Sequence, residues 1–146
     1  MPSELQKRVR FFFDGTKPAL RNRNKLKQFL LFIFSSEGVE LDSLNFIFST
    51  DRALYNINKK FLSHNFLTDV VTFSLAEKGN PVMADVYISV DRVRDNALHQ
   101  SESFQRELHR VIFHGALHLC GYKDKTVGQT RQIRKKEDEY LSGYFG

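Results

Sequence analysis

The stretch "TDVVTFSLAEKGNPVMADVYISV", residues 68–90, decides how this chain folds. Val70, Val71, Thr72 and Phe73 are β-branched or aromatic, a composition suited to a strand covered on both sides, so 68–75 is predicted to be an interior strand. Gly79, Asn80 and Pro81 then break the pattern, and "VMADVYISV" (82–90) reads as a second strand. A connection this short joins neighbours that run in opposite directions, so antiparallel pairing is expected.

Upstream, "RVRFFFDG" (8–15) favours a strand that stops at an Asp-Gly turn. Pro18 suits the first turn of a helix, and "ALRNRNKLKQFLLFIFSSEG" passes from basic to apolar before Gly38 ends it. "LNFIFST" (44–50) alternates as a half-buried strand does, and Ser49, Thr50 or Asp51 is placed to cap a helix reaching about Leu62. Downstream, Asp91 opens a short helix to about His99, and Ser101 or Ser103 caps a longer one to Leu119 or Cys120. A charged amphipathic segment, 127–141, is expected to pack on the outside. The order of elements predicts an α+β fold: a roughly four-stranded mixed sheet with helices packed on its faces.

With 146 residues and 41% apolar composition, the chain is long enough for one domain with its own core, and 1–146 is read as a single metal-dependent hydrolase domain for the reasons below. Fourteen Phe and no Trp make that core largely phenylalanine. A lone cysteine, Cys120, excludes an intramolecular disulfide. The apolar run "FLLFIF" (29–34) falls far short of the roughly twenty residues that cross a bilayer, and the charged N-terminal stretch lacks the apolar core of a signal peptide. No membrane association and a cytoplasmic location are expected.

Lys and Arg exceed Asp and Glu by five, 22 against 17, and the isoelectric point is about 9.4. Lys17, Arg21, Arg23, Lys25 and Lys27 crowd one segment; Arg131, Arg134, Lys135 and Lys136 crowd another. Either cluster alone is accounted for by a solvated helix face. Together they suit a polyanionic partner such as RNA, while DNA is not expected.

The segment "HGALHLCGYKD" (114–124) carries the chemistry. Side chains four apart on a helix share a face, so His114 and His118 can reach one ion. Gly121 stands where a helix ends with a glycine at positive φ, and the reversal it allows can return Asp124 to the same ion. H-x3-H-x2-G-x2-D follows the spacing of metal sites written H-E-x-x-H-x-x-G-x-x-H, with a carboxylate in place of the last histidine. A catalytic zinc commonly takes three protein ligands and keeps one position for water, and aspartate is an acceptable ligand. The alternative left open is two hydrogen-bonded core histidines in an apolar helix that stops at glycine for ordinary reasons.

A zinc peptidase uses the Glu after its first histidine as general base; Gly115 cannot serve. Among other candidates, Glu107 shares the helix face of His114 two turns earlier and suits a supporting role, or a partner for Arg106 or Arg110. Asp85 interrupts an apolar strand and is expected to be a structural acceptor. Thr68 and Asp69 are read as turn residues, His109 as pointing to another face, His64 and His99 as exposed, and Cys120 as a small buried thiol.

The same segment resembles the signature of the YbeY family of bacterial endoribonucleases, H-G-x-L-H-L-x-G-Y-D-H, through His114, Gly115, Leu117, His118, Leu119, Gly121 and Tyr122. "FLTDVVTFSL" resembles the family's P-T-D-V-L-S-F strand, and "MADVYISVDRVRDNA" its G-D-I-x-I-S strand and following helix; the likeness runs from about 44 to 124. Two departures stand out. Asp124 replaces the last histidine, and Leu62 falls where the family commonly has an arginine, with Lys59, Lys60 and His64 nearby. The resemblance implies a zinc-type endoribonuclease acting on single-stranded RNA in ribosomal RNA maturation and quality control. Its implied partners are ribosomal RNA, ribosomal proteins or a GTPase, and its implied Zn2+ ligands are His114, His118 and Asp124. The competing expectation is a noncatalytic ribosome-associated RNA-binding protein with a structural metal.

Overall fold

The computed structural model describes residues 4–61 and 68–146. After a short 3-10 turn, Gln6–Arg8, the elements are β1 (Val9–Phe13), α1 (Arg23–Ser36), β2 (Leu41–Ser49), α2 (Asp51–Phe61), β3 (Val70–Ser74), β4 (Val82–Ser89), α3 (Val90–His99), α4 (Phe104–Leu119) and α5 (Val127–Phe145). The strands form one mixed sheet in the order β1-β2-β4-β3, parallel except for the antiparallel β3–β4 pair. The α+β expectation and the antiparallel hairpin are both met.

Strand alternation builds the core. Leu44, Phe46 and Phe48 of β2 and Ala84, Val86 and Ile88 of β4 point to one face and are almost wholly buried. Against them pack Leu26, Leu30, Ile33 and Phe34 of α1 and Leu108, Ile112, Phe113, Ala116 and Leu117 of α4, forming one cluster. Leu54 of α2 and Val71 of β3 are buried outside that cluster.

Three local expectations need correction. The 70–74 segment is an edge strand, not an interior one; β4 takes the interior position. Its apolar character reflects cover rather than pairing, because α4 lies close enough for Gly115 to approach Val70 while Val71 is buried on the alternate side. Helix α1 begins at Arg23, not near Pro18. Pro18 and Leu20 are buried in a non-helical lead-in whose Ala19 carbonyl accepts from Gln105 Nε2 of α4 at 2.6 Å, and tertiary packing there overrides local helix propensity. Lys17 and Arg21 of the first basic cluster therefore precede the helix. Finally, α5 runs on to Phe145 and is not merely an outer layer: Ile133, Glu137, Tyr140, Leu141 and Tyr144 are buried.

Caps fall where hydroxyls were expected. Thr50 Oγ1 accepts from Ala53 N at 3.2 Å at the start of α2, and Ser103 accepts from Arg106 N at 3.1 Å at the start of α4. The family arginine position at Leu62, and His64, lie outside the described residues; Lys59 and Lys60 lie exposed in the last turn of α2.

Candidate metal centre

Helix α4 is the axis of the site. Nearly every residue from Glu107 to Leu117 is buried, but His114 keeps one edge open. The helix can lie this close to the sheet because position 115 has no side chain: a Cβ there would sit 2.9 Å from Val86 Cγ1 and 3.6 Å from Val70 Cγ2. Gly115 thus sets the depth at which both flanking histidine turns sit over β3 and β4.

The helix ends in a Schellman turn. Tyr122 N–H donates to Leu117 O at 3.1 Å and Gly121 N–H to His118 O at 3.0 Å, with Gly121 at φ +105°, where a side chain would be strained. The chain reverses, and a capping box between Thr126 and Gln129 starts α5 directly afterwards. Thr130 Oγ1 donates to the Asp124 carbonyl at 3.2 Å, fixing the returning strand of chain.

The reversal brings the three expected residues together. Asp124 Oδ2 lies 3.4 Å from His114 Nε2 and 3.4 Å from His118 Nε2; one donor atom from each residue falls within 4.8 Å of every other. Around a tetrahedral zinc with bonds of about 2.0–2.1 Å, neighbouring ligand atoms stand roughly 3.3–3.4 Å apart, so the observed edges fit such an ion.

The opposite side of each ring is already occupied. His114 Nδ1 meets Glu137 Oε2 at 2.5 Å, and His118 Nδ1 meets the Tyr122 carbonyl at 2.9 Å. A carbonyl only accepts, so His118 carries a proton on Nδ1, and the Glu137 carboxylate favours the same on His114; Nε2 is then the atom each ring would offer to an ion. Both Nε2 atoms therefore turn toward one acid, and the three side chains form a group that could hold an ion.

Glu137 was not singled out from sequence. It is 3% exposed and also accepts from Arg110 Nη1 at 3.2 Å; Arg110 Nη2 pairs with Asp138 at 2.8 Å, and its Nε faces Glu107 at 3.7 Å. The spacing that would have revealed Glu137 is Ile133, Glu137, Tyr140, Tyr144, an inward stripe with one acid in it. Burial opposes protonation of His114, but Glu137, with Asp69 and Asp124 behind it, prevails and raises its pKa.

A cavity of about 420 Å³ opens beside these residues, lined among others by Asp69, Asn96, Arg110, His114, Asp124 and Arg134. Asp69 is more than a turn residue: its main-chain carbonyl ties β3 to Ser89 at 2.9 Å, and its carboxylate accepts from Asn96 Nδ2 at 3.2 Å. Burial pushes the Asp69 carboxyl up, against the pull of His114. Burial likewise raises Glu107, against Arg110 and Arg134.

The remaining candidates fall away from the ion position. Asp85 accepts from Asn45 Nδ2 on the adjacent strand at 3.0 Å, the structural role expected. His109 bonds the Gln105 carbonyl at 2.7 Å and stacks on Tyr144; His99 bonds the Asp95 carbonyl at 2.8 Å in an exposed setting. Cys120 is half-buried, its thiol pushed up to about 12 by burial and then by Glu37.

Fold and side chains define a class: an α+β protein with a His-His-Asp group able to hold a metal ion at the end of its central helix. The particular family follows from comparison. The family model described as endoribonuclease YbeY matches residues 15–144, and the chain belongs to that family. It is 42% identical to endoribonuclease YbeY of Cytophaga hutchinsonii over 90% of this chain and 92% of the relative. It is 39% identical to the Flavobacterium johnsoniae protein of that name, over 87% and 91%. Among solved structures, TM1509 from Thermotoga maritima superposes with a TM-score of 0.65 at 25% identity, over 94% of this chain and 89% of the other. Among the described residues, no helix is long and apolar enough to cross a membrane.

Proposed function

We propose that the protein is a metal-dependent endoribonuclease that hydrolyses single-stranded RNA during ribosomal RNA maturation, in the cytoplasm, with ribosomal RNA as its principal partner. The observation that carries this reading is the convergence of His114 Nε2, His118 Nε2 and Asp124 Oδ2, at 3.4 Å edges, with both Nδ1 atoms engaged behind them. Family membership supplies the substrate class, since the relatives are named endoribonucleases.

Two imidazoles and one carboxylate form a borderline donor set that suits zinc, although other divalent transition metals share it. When bound, such an ion lowers the pKa of a coordinated water and polarises a phosphoryl oxygen. The chain's own groups do the rest. Glu137 and the Tyr122 carbonyl fix ring tautomer and orientation, and the cavity beside His114 leaves room for an incoming phosphodiester. Gly115 in place of a glutamate argues against peptide hydrolysis.

The test is cleavage of a single-stranded RNA by the purified protein loaded with Zn2+ or Mn2+, beside His118→Ala. Ion-dependent cleavage that the variant loses, while its circular dichroism and RNA affinity persist, supports the proposal. A wild type that binds RNA and never cuts it, together with a His118→Ala chain that fails to fold, favours the noncatalytic protein with a structural metal. RNA binding indifferent to salt would instead point to a small phosphoester substrate.

A further inference from the structure

Two guanidinium groups line the cavity beside His114 and Asp124, and they are not equivalent. Arg110 is 7% exposed and committed: Nη1 to Glu137, Nη2 to Asp138 and Nε toward Glu107. Arg134 is exposed, and its only direct bond among the described residues runs from Nη2 to Gln100 Oε1 at 3.0 Å. No described carboxylate lies within ion-pairing distance of it; it influences Glu107 only through space.

Helical spacing aims it. Thr130, Arg134 and Glu137 fall four and three residues apart on α5, so they share a face, and all three line the cavity. On that face Glu137 holds His114 from behind, while Arg134, about one turn earlier, lines the same cavity and is exposed. Gln100 is neutral, so its bond orients the guanidinium without cancelling the charge, and the remaining N–H groups stay available to an acceptor. A guanidinium so placed suits a phosphate, whose oxygens it can bind in pairs.

We infer that Arg134 is the phosphate-binding residue of this site, contacting a non-bridging oxygen of the RNA backbone at the nucleotide held beside His114 and Asp124. The inference rests on the endoribonuclease reading for the identity of its ligand. It also divides the C-terminal basic cluster: Arg134 acts in the site, while Arg131 is exposed outside the cavity lining and Lys136 faces Glu37 and Glu139 at 3.8 and 3.5 Å.

The experiment compares wild type, Arg134→Ala, Arg134→Lys and the control Arg131→Ala, reading bound metal, affinity for a fluorescent single-stranded RNA across a salt series, and cleavage. Arg134→Ala is expected to keep its metal, to weaken RNA binding about tenfold, and to flatten the slope of log affinity against log salt by about 0.7, the value of one phosphate contact on a single strand. Arg134→Lys should recover most of the salt slope but little of the cleavage, since an ammonium keeps the charge and loses the paired donors. Arg131→Ala should stay within about twofold of wild type. An Arg134→Ala protein with unchanged affinity and salt slope overturns the inference, as does one that loses its metal. A wild type that binds RNA without cutting it counts against the endoribonuclease reading alone, because the binding arm still decides the role of Arg134.

Discussion

Glu137 on α5 and His114 on α4 share a 2.5 Å contact between a carboxylate oxygen and Nδ1, and the other oxygen of the same carboxylate meets Arg110 at 3.2 Å. One buried acid therefore orients a proposed ligand and neutralises a buried cation. Glu137→Ala should weaken metal binding about 10- to 100-fold, the usual cost of losing a partner behind a ligand. It should also destabilise the apo-protein by about 3 kcal/mol, the low end for breaking a buried pair, since Asp138 still holds Arg110. Competition against a chromophoric chelator measures the first, urea unfolding the second. Unchanged metal affinity would remove Glu137 from the site.

Gly115 gives a packing prediction. A Cβ at 2.9 Å from Val86 Cγ1 lies inside any real contact, so Gly115→Ala should cost about 1–3 kcal/mol in urea unfolding despite the better helix propensity of alanine. Shortening the opposing side chain should relieve it. In a Val86→Ala background the penalty should fall by about 1 kcal/mol or more. Strict additivity would mean that the helix stands off the sheet.

Much of this arrangement is legible in the sequence because local chemistry controls it. Gly121 and the histidine spacing specify the turn that returns Asp124, and hydroxyl residues mark where α2 and α4 begin. What could not be read depends on distant contacts. Pro18 favours a helix until Leu20 and the Ala19–Gln105 bond hold the segment in a non-helical path, and the apolar 70–74 run does not tell an edge strand under a helix from an interior strand. Glu137 is hidden for a similar reason. In "RKKEDEYL" its neighbours are equally charged, so only the wider stripe through Ile133, Tyr140 and Tyr144 marks it as inward, and the path of α5 across α4 is what brings it to His114.

Glu37 links the end of α1 to the turn that follows α4, accepting from Tyr122 at 2.8 Å and from Tyr140 at 2.5 Å. Burial, then the Glu37 hydrogen bond and charge, push the Tyr122 phenol up to about 12. A phenol raised above its unfolded value near 10 contributes stability that is complete below about pH 10 and is lost as pH rises through about 12. Stability should therefore decline between pH 10 and 12, less steeply in Tyr122→Phe. Absorbance titration of tyrosinate against urea midpoints checks this, and a Tyr122 that ionises near 10 would contradict it. Because the Tyr122 main-chain carbonyl holds His118, the metal affinity of the variant also reports whether the Tyr122–Glu37 hydrogen bond supports the site.

Asp124 completes the donor set, yet its side chain is 43% exposed and its removal leaves no buried group unpaired. Asp124→Ala should therefore change apo-protein stability by less than about 0.5 kcal/mol, while stoichiometric metal is lost on gel filtration because only two imidazoles remain. Asp124→His tests the geometry separately from the charge. If the Gly121 turn delivers any suitable side chain to the two Nε2 atoms, a third imidazole should restore binding that alanine abolishes. Metal analysis of the three proteins after identical loading separates these cases. Full metal content in Asp124→Ala would show that the ion, if held, is held by other ligands.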